Sequence, residues 1–209
     1  MVLATSPARE LVVPKVVDRA GRRAELGRAA ARVIARLGLE GVTVAAVASE
    51  ARCSAGSVAH YFRGKDDLLV SALHAATESL LAPLRDPAEP LASVEALRAV
   101  ARESLPLDGN RERDWRVRLA FWTRASGPPE EVQVARAHFA EWRALWEGAI
   151  RAVQGGGAIR ADVDPREAGA GVVALIVGTA TQVLVRPRAE GPHAAAAVDS
   201  YLRSFGRRA

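Results

Sequence analysis

Cysteine occurs once in the 209 residues, at Cys53, so an intrachain disulfide is excluded and a reducing compartment is the natural setting. Lysine is nearly as scarce, with Lys15 and Lys65 the only two in an arginine-dominated chain. The four histidines, His60, His74, His138 and His193, stand far apart, and H-E-x-x-H, C-x-x-C, G-x-S-x-G and phosphate-binding glycine loops are all missing. Zinc hydrolases, thiol oxidoreductases, nucleophile-elbow esterases and P-loop ATPases therefore have no sequence basis, and no catalytic residue, metal or cofactor is expected. β-rich segments, tandem repeats and low-complexity tracts are absent as well. A hydrophobic content of 49% with 25% charged residues excludes disorder. Cys53 reads as a small apolar residue of a turn, since a redox sensor needs an exposed, acidic thiol. The opening MVLATSPARELVVPKVV has no basic stretch before its apolar residues and is broken by Pro7 and Pro14, so residues 1–17 are expected to form a loose arm, not a signal peptide.

What charge there is lies unevenly. Residues 1–70 carry 11 Lys+Arg against 7 Asp+Glu, leaving 18 against 17 for the remainder, so nearly all of the net +5 sits in the first third. A local positive excess favours a polyanionic partner, because phosphate neutralisation supplies most non-specific affinity. Within that third, TVAAVASEARCSAGSVAHYFRGKDDLL (43–69) reads as a short helix, a tight turn, a second short helix and entry into a third. Val44, Val47, Ala48 and Ala51 share a face behind a Thr43 N-cap. Ser54 is placed to cap the next helix, where Val58, Tyr61 and Phe62 return to the same core. This is a helix-turn-helix, whose second helix can enter a major groove about 12 Å wide.

Before it, Leu26, Ala30, Val33, Ile34 and Leu37 mark an amphipathic helix over Asp18 to Gly38, some of whose arginines are positioned to reach a DNA backbone. After it, a long helix opening with Lys65, Asp66 and Asp67 runs until Pro83 and links two domains, with the boundary near Val70. Leu91 to Leu105, Arg111 to Ala125 and Pro128 to Val153 are three further helices. Ala168 to Val185 then carries no charge, and His193 to Phe205 closes the chain. The uncharged run is long enough to cross a bilayer. Its glycines, threonines and Gln182, and the lack of an aromatic belt, argue for protein cover on all sides instead. A second subunit supplies that cover in the expected four-helix contact, formed by Gly171, Leu175, Gly178 and Gln182 with Val198, Tyr201, Leu202 and Phe205. The fold class is all-α: an N-terminal three-helix DNA-binding domain (1–70) and a C-terminal helical effector-binding and dimerisation domain (71–209).

At Ser54-Ala55-Gly56-Ser57-Val58-Ala59-His60-Tyr61-Phe62-Arg63-Gly64-Lys65-Asp66-Asp67-Leu68-Leu69 the sequence resembles the signature of the tetracycline-repressor (TetR) family of bacterial transcriptional regulators, closest in flavour to the BetI-like subgroup. The resemblance covers the first third, with weaker likeness at Leu119–Trp122 and Asp162–Pro165. It implies a cytoplasmic, homodimeric, ligand-responsive repressor bound to a palindromic duplex operator and released by a small molecule. Ser54, Ala55, Gly56 and Ser57 would meet base edges and phosphates, and Thr43, His60, Tyr61 and Lys65 match phosphate-contacting positions. Hydroxyls, imidazole, lysine and helix N-termini are suited to that role. Thr43 as a mere cap and Tyr61 as a packing residue remain the structural alternatives. Arg52 departs from the family, standing where a left-handed glycine is usual. Ala55 and Ala59 replace longer side chains, so the operator sequence is not legible.

For the effector, Trp115, Arg118, Phe121 and Trp122 fall on one candidate helix and His138, Trp142 and Trp146 on the next. They form either a packed aromatic core or a ring-lined pocket. The rings could cage a quaternary ammonium, which Arg118 and Arg124 would oppose. The competing function is a dimeric helical small-molecule-binding protein whose helix-turn-helix is only structural.

Overall fold

The computed structural model describes residues 18–87, 90–122, 129–185 and 191–206; the expected arm over 1–17 lies outside the described residues. Among the described residues nine helices follow one another: α1 (Arg19–Leu37), α2 (Val44–Glu50), α3 (Ala55–Tyr61), α4 (Lys65–Arg85), α5 (Val94–Glu103), α6 (Gly109–Trp122), α7 (Pro129–Gly155), α8 (Pro165–Val185) and α9 (Gly191–Arg203). The only pairing of β type among them is an isolated bridge between Ile159 and Gly206.

Short polar side chains set the helix starts. Asp18 accepts from the Gly21 amide at 2.9 Å, and Thr43, Ser54 and Ser93 accept from the amides of Ala46, Ser57 and Ala96. Each satisfies a donor that the first turn leaves unpaired. Gly38, at φ 73°, ends α1 and donates to the Ile34 carbonyl. α4 has no side-chain cap at Gly64, and Asp66 and Asp67 lie instead in its positive first turn.

Two apolar cores result. Leu26, Val33, Val47, Val58, Leu68 and Leu73 centre the first, which Val117 and Phe121 of α6 complete. The second spans Leu80 to Phe205 and is built on α4, α5, α7, α8 and α9 with Trp115. α4 belongs to both: residues through Ala76 face the first core and those from Leu80 the second. The packing of the first core thus extends a turn or more beyond Val70, and α6 reaches back to it. Gly27 is required where α1 meets α4, because a Cβ there would lie 2.9 Å from the Ser71 carbonyl oxygen.

Pro83 does not end α4, contrary to expectation, and the helix continues to Arg85. A proline in the last turn removes one hydrogen bond. Leu84, buried in the second core, and Arg85, clamped by Glu78 and Glu141, hold that turn in place. α8 has the length and mean hydropathy (1.9) of a membrane span. Val172, Ile176 and Ala180 are nevertheless fully buried against the rest of the bundle, which makes α8 a core helix on that side.

Candidate nucleic-acid interface

The two helices of the motif are held from behind, leaving the front of α3 free. Val47 and Val58 are wholly buried and Phe62 nearly so. Arg32 and Arg36 of α1 both pair with Glu50 at the end of α2. Arg23 of α1 donates to the Tyr61 carbonyl at the end of α3 and to the Asp67 carboxylate of α4. Three of the six α1 arginines, Arg23, Arg32 and Arg36, are therefore committed to bracing the motif, and Arg22 pairs with Glu25 within α1. The turn keeps its shape with Arg52 at φ 52°, the one described non-glycine residue with positive φ. The Cys53 amide closes it on the Ala48 carbonyl at 2.9 Å. A left-handed arginine costs roughly 1 to 2 kcal/mol, and it leaves the guanidinium exposed at the mouth of the motif.

On the free side Ser54, Ala55, Gly56, Ala59 and His60 are exposed, and Ser57 and Tyr61 are half-buried. Ser54 Oγ lies 2.9 Å from Ser57 Oγ while capping α3, so the two hydroxyls form one polar group at the helix N-terminus. A Cβ on Gly56 would meet only Ser54 Oγ, at 3.8 Å. The fold itself does not demand glycine there, and the opening admits a close-approaching partner. Thr43 is exposed while its hydroxyl caps α2. Lys65 stands at the start of α4, loosely paired with Glu40 at 3.8 Å. An exposed pair of this kind contributes little and is easily exchanged for a phosphate. Between Thr43 and Lys65 the chain has Arg52, Arg63 and Lys65 against Glu50 alone. Arg52 and Arg63 were not singled out from the sequence as contacts, yet both are exposed at the rim of α3 and form no ion pair among the described residues. Their charge and their position flanking the motif were the available signals.

The second-domain candidates divide between the two cores. Trp115 and Trp146 are fully buried and Trp142 nearly so, with Trp115 6.4 Å from Trp142 and 5.7 Å from Trp122 between ring centroids. Phe121 turns into the first core instead. Arg118, itself buried, lays its guanidinium 5.1 Å from the Trp115 ring centroid and donates to the Ala76 carbonyl and Ser79 Oγ. Burial lowers its pKa to about 10. Among the described residues Trp115, Trp142 and Trp146 pack into the second core, with the Arg118 cation already against Trp115. Of the ligand candidates only His138 lines a described cavity, between α4 and α7.

The expected dimer contact needs a similar correction. Val198, Leu202 and Phe205 are buried in the protomer's own second core. Tyr201 packs so tightly on α8 that a Cβ at Gly171 would strike its phenol, so this pair is an internal contact. Leu175 is half-buried, and Gly178, Gln182 and Val185 (79%) are exposed along the outer side of α8.

A short exposed helix, braced from behind and presented across a tight turn beside a basic rim, defines a helix-turn-helix DNA-binding domain set on a helical second domain. The family model for bacterial regulatory proteins of the tetR family matches residues 27–72, and that for the BetI-type transcriptional repressor C-terminal region matches residues 93–207. The chain belongs to the TetR family of bacterial transcriptional regulators, with a BetI-type C-terminal domain. The HTH-type transcriptional regulator BetI of Paraburkholderia phymatum is 34% identical over 56% of this chain and 61% of its own length. PksA of Bacillus subtilis is 32% identical over 52% and 54%. The chain thus spans less than two thirds of these two relatives, and 69% of the Burkholderia cenocepacia BetI, at 33% identity over 60% of this chain. Among solved structures, a transcriptional regulator from Rhodococcus sp. Rha1 superposes with a TM-score of 0.71 at 27% identity, covering 88% of this chain and 95% of that one. A chain described as a transcriptional regulator from Saccharomonospora viridis, in complex with choline, gives 0.73 at 26%, covering 90% and 100%.

Proposed function

We propose that this protein is a ligand-responsive transcriptional regulator, a repressor that binds a palindromic duplex operator as a homodimer and leaves it when a small molecule occupies the second domain. The observation that carries the reading is the exposed N-terminal end of α3, with Ser54, Ala55, Gly56 and Ser57 facing outward while Val58 and Phe62 anchor the helix. Thr43, His60, Tyr61 and Lys65, with Arg52 and Arg63, supply phosphate contacts that fix register, and the α3 end reads base edges. Residues 1–70 act as the DNA-binding unit and 71–209 as the effector and dimer unit. The protein works in the cytoplasm, catalyses no reaction and needs no cofactor.

Ligand control follows from α4, which starts at Lys65 on the DNA side and ends beside the α4–α7 cavity. A ligand favouring one tilt of α4 changes the separation of the two recognition helices, which must match one DNA turn of about 34 to 36 Å. A coupling of about 1 to 3 kcal/mol lowers operator affinity about 5- to 150-fold. A structural neighbour described in complex with choline supports a small-molecule effector. The buried Arg118 against Trp115 opposes a second cation at the tryptophans. Footprinting on the DNA upstream of the gene tests the reading. Protection of one two-fold symmetric site is expected. A folded dimer that protects no site would leave the helical ligand-binding alternative.

A further inference from the structure

The cavity between α4 and α7 has a volume of about 230 Å³, roughly that of seven or eight water molecules in the liquid. Two of its lining residues, Thr77 and His138, carry buried polar atoms with no hydrogen-bond partner, Thr77 Oγ1 and His138 Nδ1. These residues are 4% and 7% exposed. Such groups cost free energy until a partner meets them. The other nitrogen of His138, Nε2, lies 3.3 Å from His74 Nδ1, so the two imidazoles share one hydrogen bond that holds the His138 ring in place. Burial, with His74 beside it, lowers the pKa of His138, which is neutral at physiological pH.

At the rim two carboxylates share one cation. Arg85 donates to Glu78 at 2.7 and 2.9 Å and to Glu141 at 2.6 Å. The rim therefore carries one negative charge in excess. Between rim and interior the wall is apolar, formed by Leu81, Val134 and Ala137. No phenylalanine, tyrosine or tryptophan lines the cavity among the described residues, so it lacks the aromatic faces that hold quaternary ammonium groups. An anion would face two carboxylates. A permethylated cation has no N–H to donate to them.

We propose that the α4–α7 cavity binds a short primary alkylammonium bearing a second polar end, a diamine or an amino alcohol, with the ammonium beside the Glu78–Arg85–Glu141 cluster at the rim, the alkyl stem along Leu81 and Val134, and the far end directed at Thr77 and His138, whose side chains turn to meet it. Release of DNA by this ligand rests on the regulator reading above, but occupancy of the cavity does not.

The test is calorimetry on the full-length, DNA-free protein with 1,4-diaminobutane and 4-amino-1-butanol, and with choline as the counter-probe. Saturable binding of at least one primary amine is expected, with choline weaker by an order of magnitude or more. Thr77→Val, which keeps the side-chain shape and removes the hydroxyl, should weaken the amine about tenfold. Glu141→Gln, which leaves Glu78 to hold Arg85, should weaken it and flatten its salt dependence. No saturation by either amine at millimolar concentration overturns the proposal, as does choline binding as well as the amines. Wild-type affinity in Glu141→Gln overturns it too, whether or not Thr77→Val folds. Upstream-DNA binding measured separately distinguishes the two readings: amine binding without DNA binding removes the regulator, and DNA binding without amine binding removes the site.

Discussion

Arg23 and Asp67, 44 residues apart, join the first helix to the start of the linking helix, and the same guanidinium caps the Tyr61 carbonyl that ends the recognition helix. One side chain thus fixes α3 relative to both of its supports. The pair is about a third exposed, so screening holds its contribution to no more than about 1 kcal/mol. The hydrogen bond from Arg23 lowers the Asp67 pKa, against burial, which raises it. A depressed carboxylate stabilises the fold above its ordinary pKa near 4 and loses that contribution as pH falls through the folded value. Asp67→Asn should therefore lower the melting temperature at pH 7, with the gap to wild type closing below about pH 4. A constant gap across that range would show that Asp67 acts by shape, not charge.

The outer side of α8 and the inner side of α9 should respond differently to the same charge. Leu175→Glu, at a half-buried position beside exposed Gly178 and Gln182, should leave helical content intact and give monomers in sedimentation. Leu202→Glu, at a fully buried position, should unfold the second domain, since an unpaired buried charge costs several kcal/mol. An undisturbed dimer for Leu175→Glu would move the interface off this face.

The lowered pKa of His138 predicts an acid-sensitive fold. Burial, and then His74, lowers that pKa. A histidine held neutral contributes stability above the unfolded value near 6.5, and that stability is lost as pH falls toward the lower folded value. Thermal melts from pH 7.5 down to pH 5 should show wild type losing stability and His138→Gln losing less. Parallel curves would assign the acid response elsewhere.

Arg118 is charged and desolvated against Trp115, with a pKa of about 10. A methionine of similar length removes the desolvation cost together with two hydrogen bonds, and such replacements are often neutral or stabilising. Arg118→Met should keep its melting temperature within a few degrees of wild type while shifting tryptophan emission. A loss of more than about 3 kcal/mol would mean that the bonds to Ala76 and Ser79 outweigh burial.

The helix-turn-helix was legible because its signals are local: Thr43 and Ser54 cap within three residues, and Val47, Val58 and Phe62 repeat on one face. Even the left-handed residue was located, at Arg52. Helix order in the second domain could be read from periodicity, but not which neighbour each stripe meets. Val198, Leu202 and Phe205 make the same apolar pattern whether they cover α8 of their own chain or of another. The tryptophans could equally have lined a pocket or packed into a core, and the sequence carried no sign that Arg118 would lie buried against Trp115. The α4–α7 cavity was out of reach, because His74, Thr77, Arg85, His138 and Glu141 converge only through helix packing across more than 60 residues.

The salt dependence of binding to a labelled duplex from the gene's upstream region, compared for wild type and Lys65→Ala by fluorescence anisotropy, tests DNA recognition through this motif most directly. Wild type should bind that duplex as two protomers, more tightly than unrelated DNA. Lys65→Ala should weaken both and reduce the slope of log K against log salt by about 0.9 for each protomer. A protein that stays folded and dimeric yet forms no complex at low salt, or a variant with unchanged affinity and slope, would contradict the account.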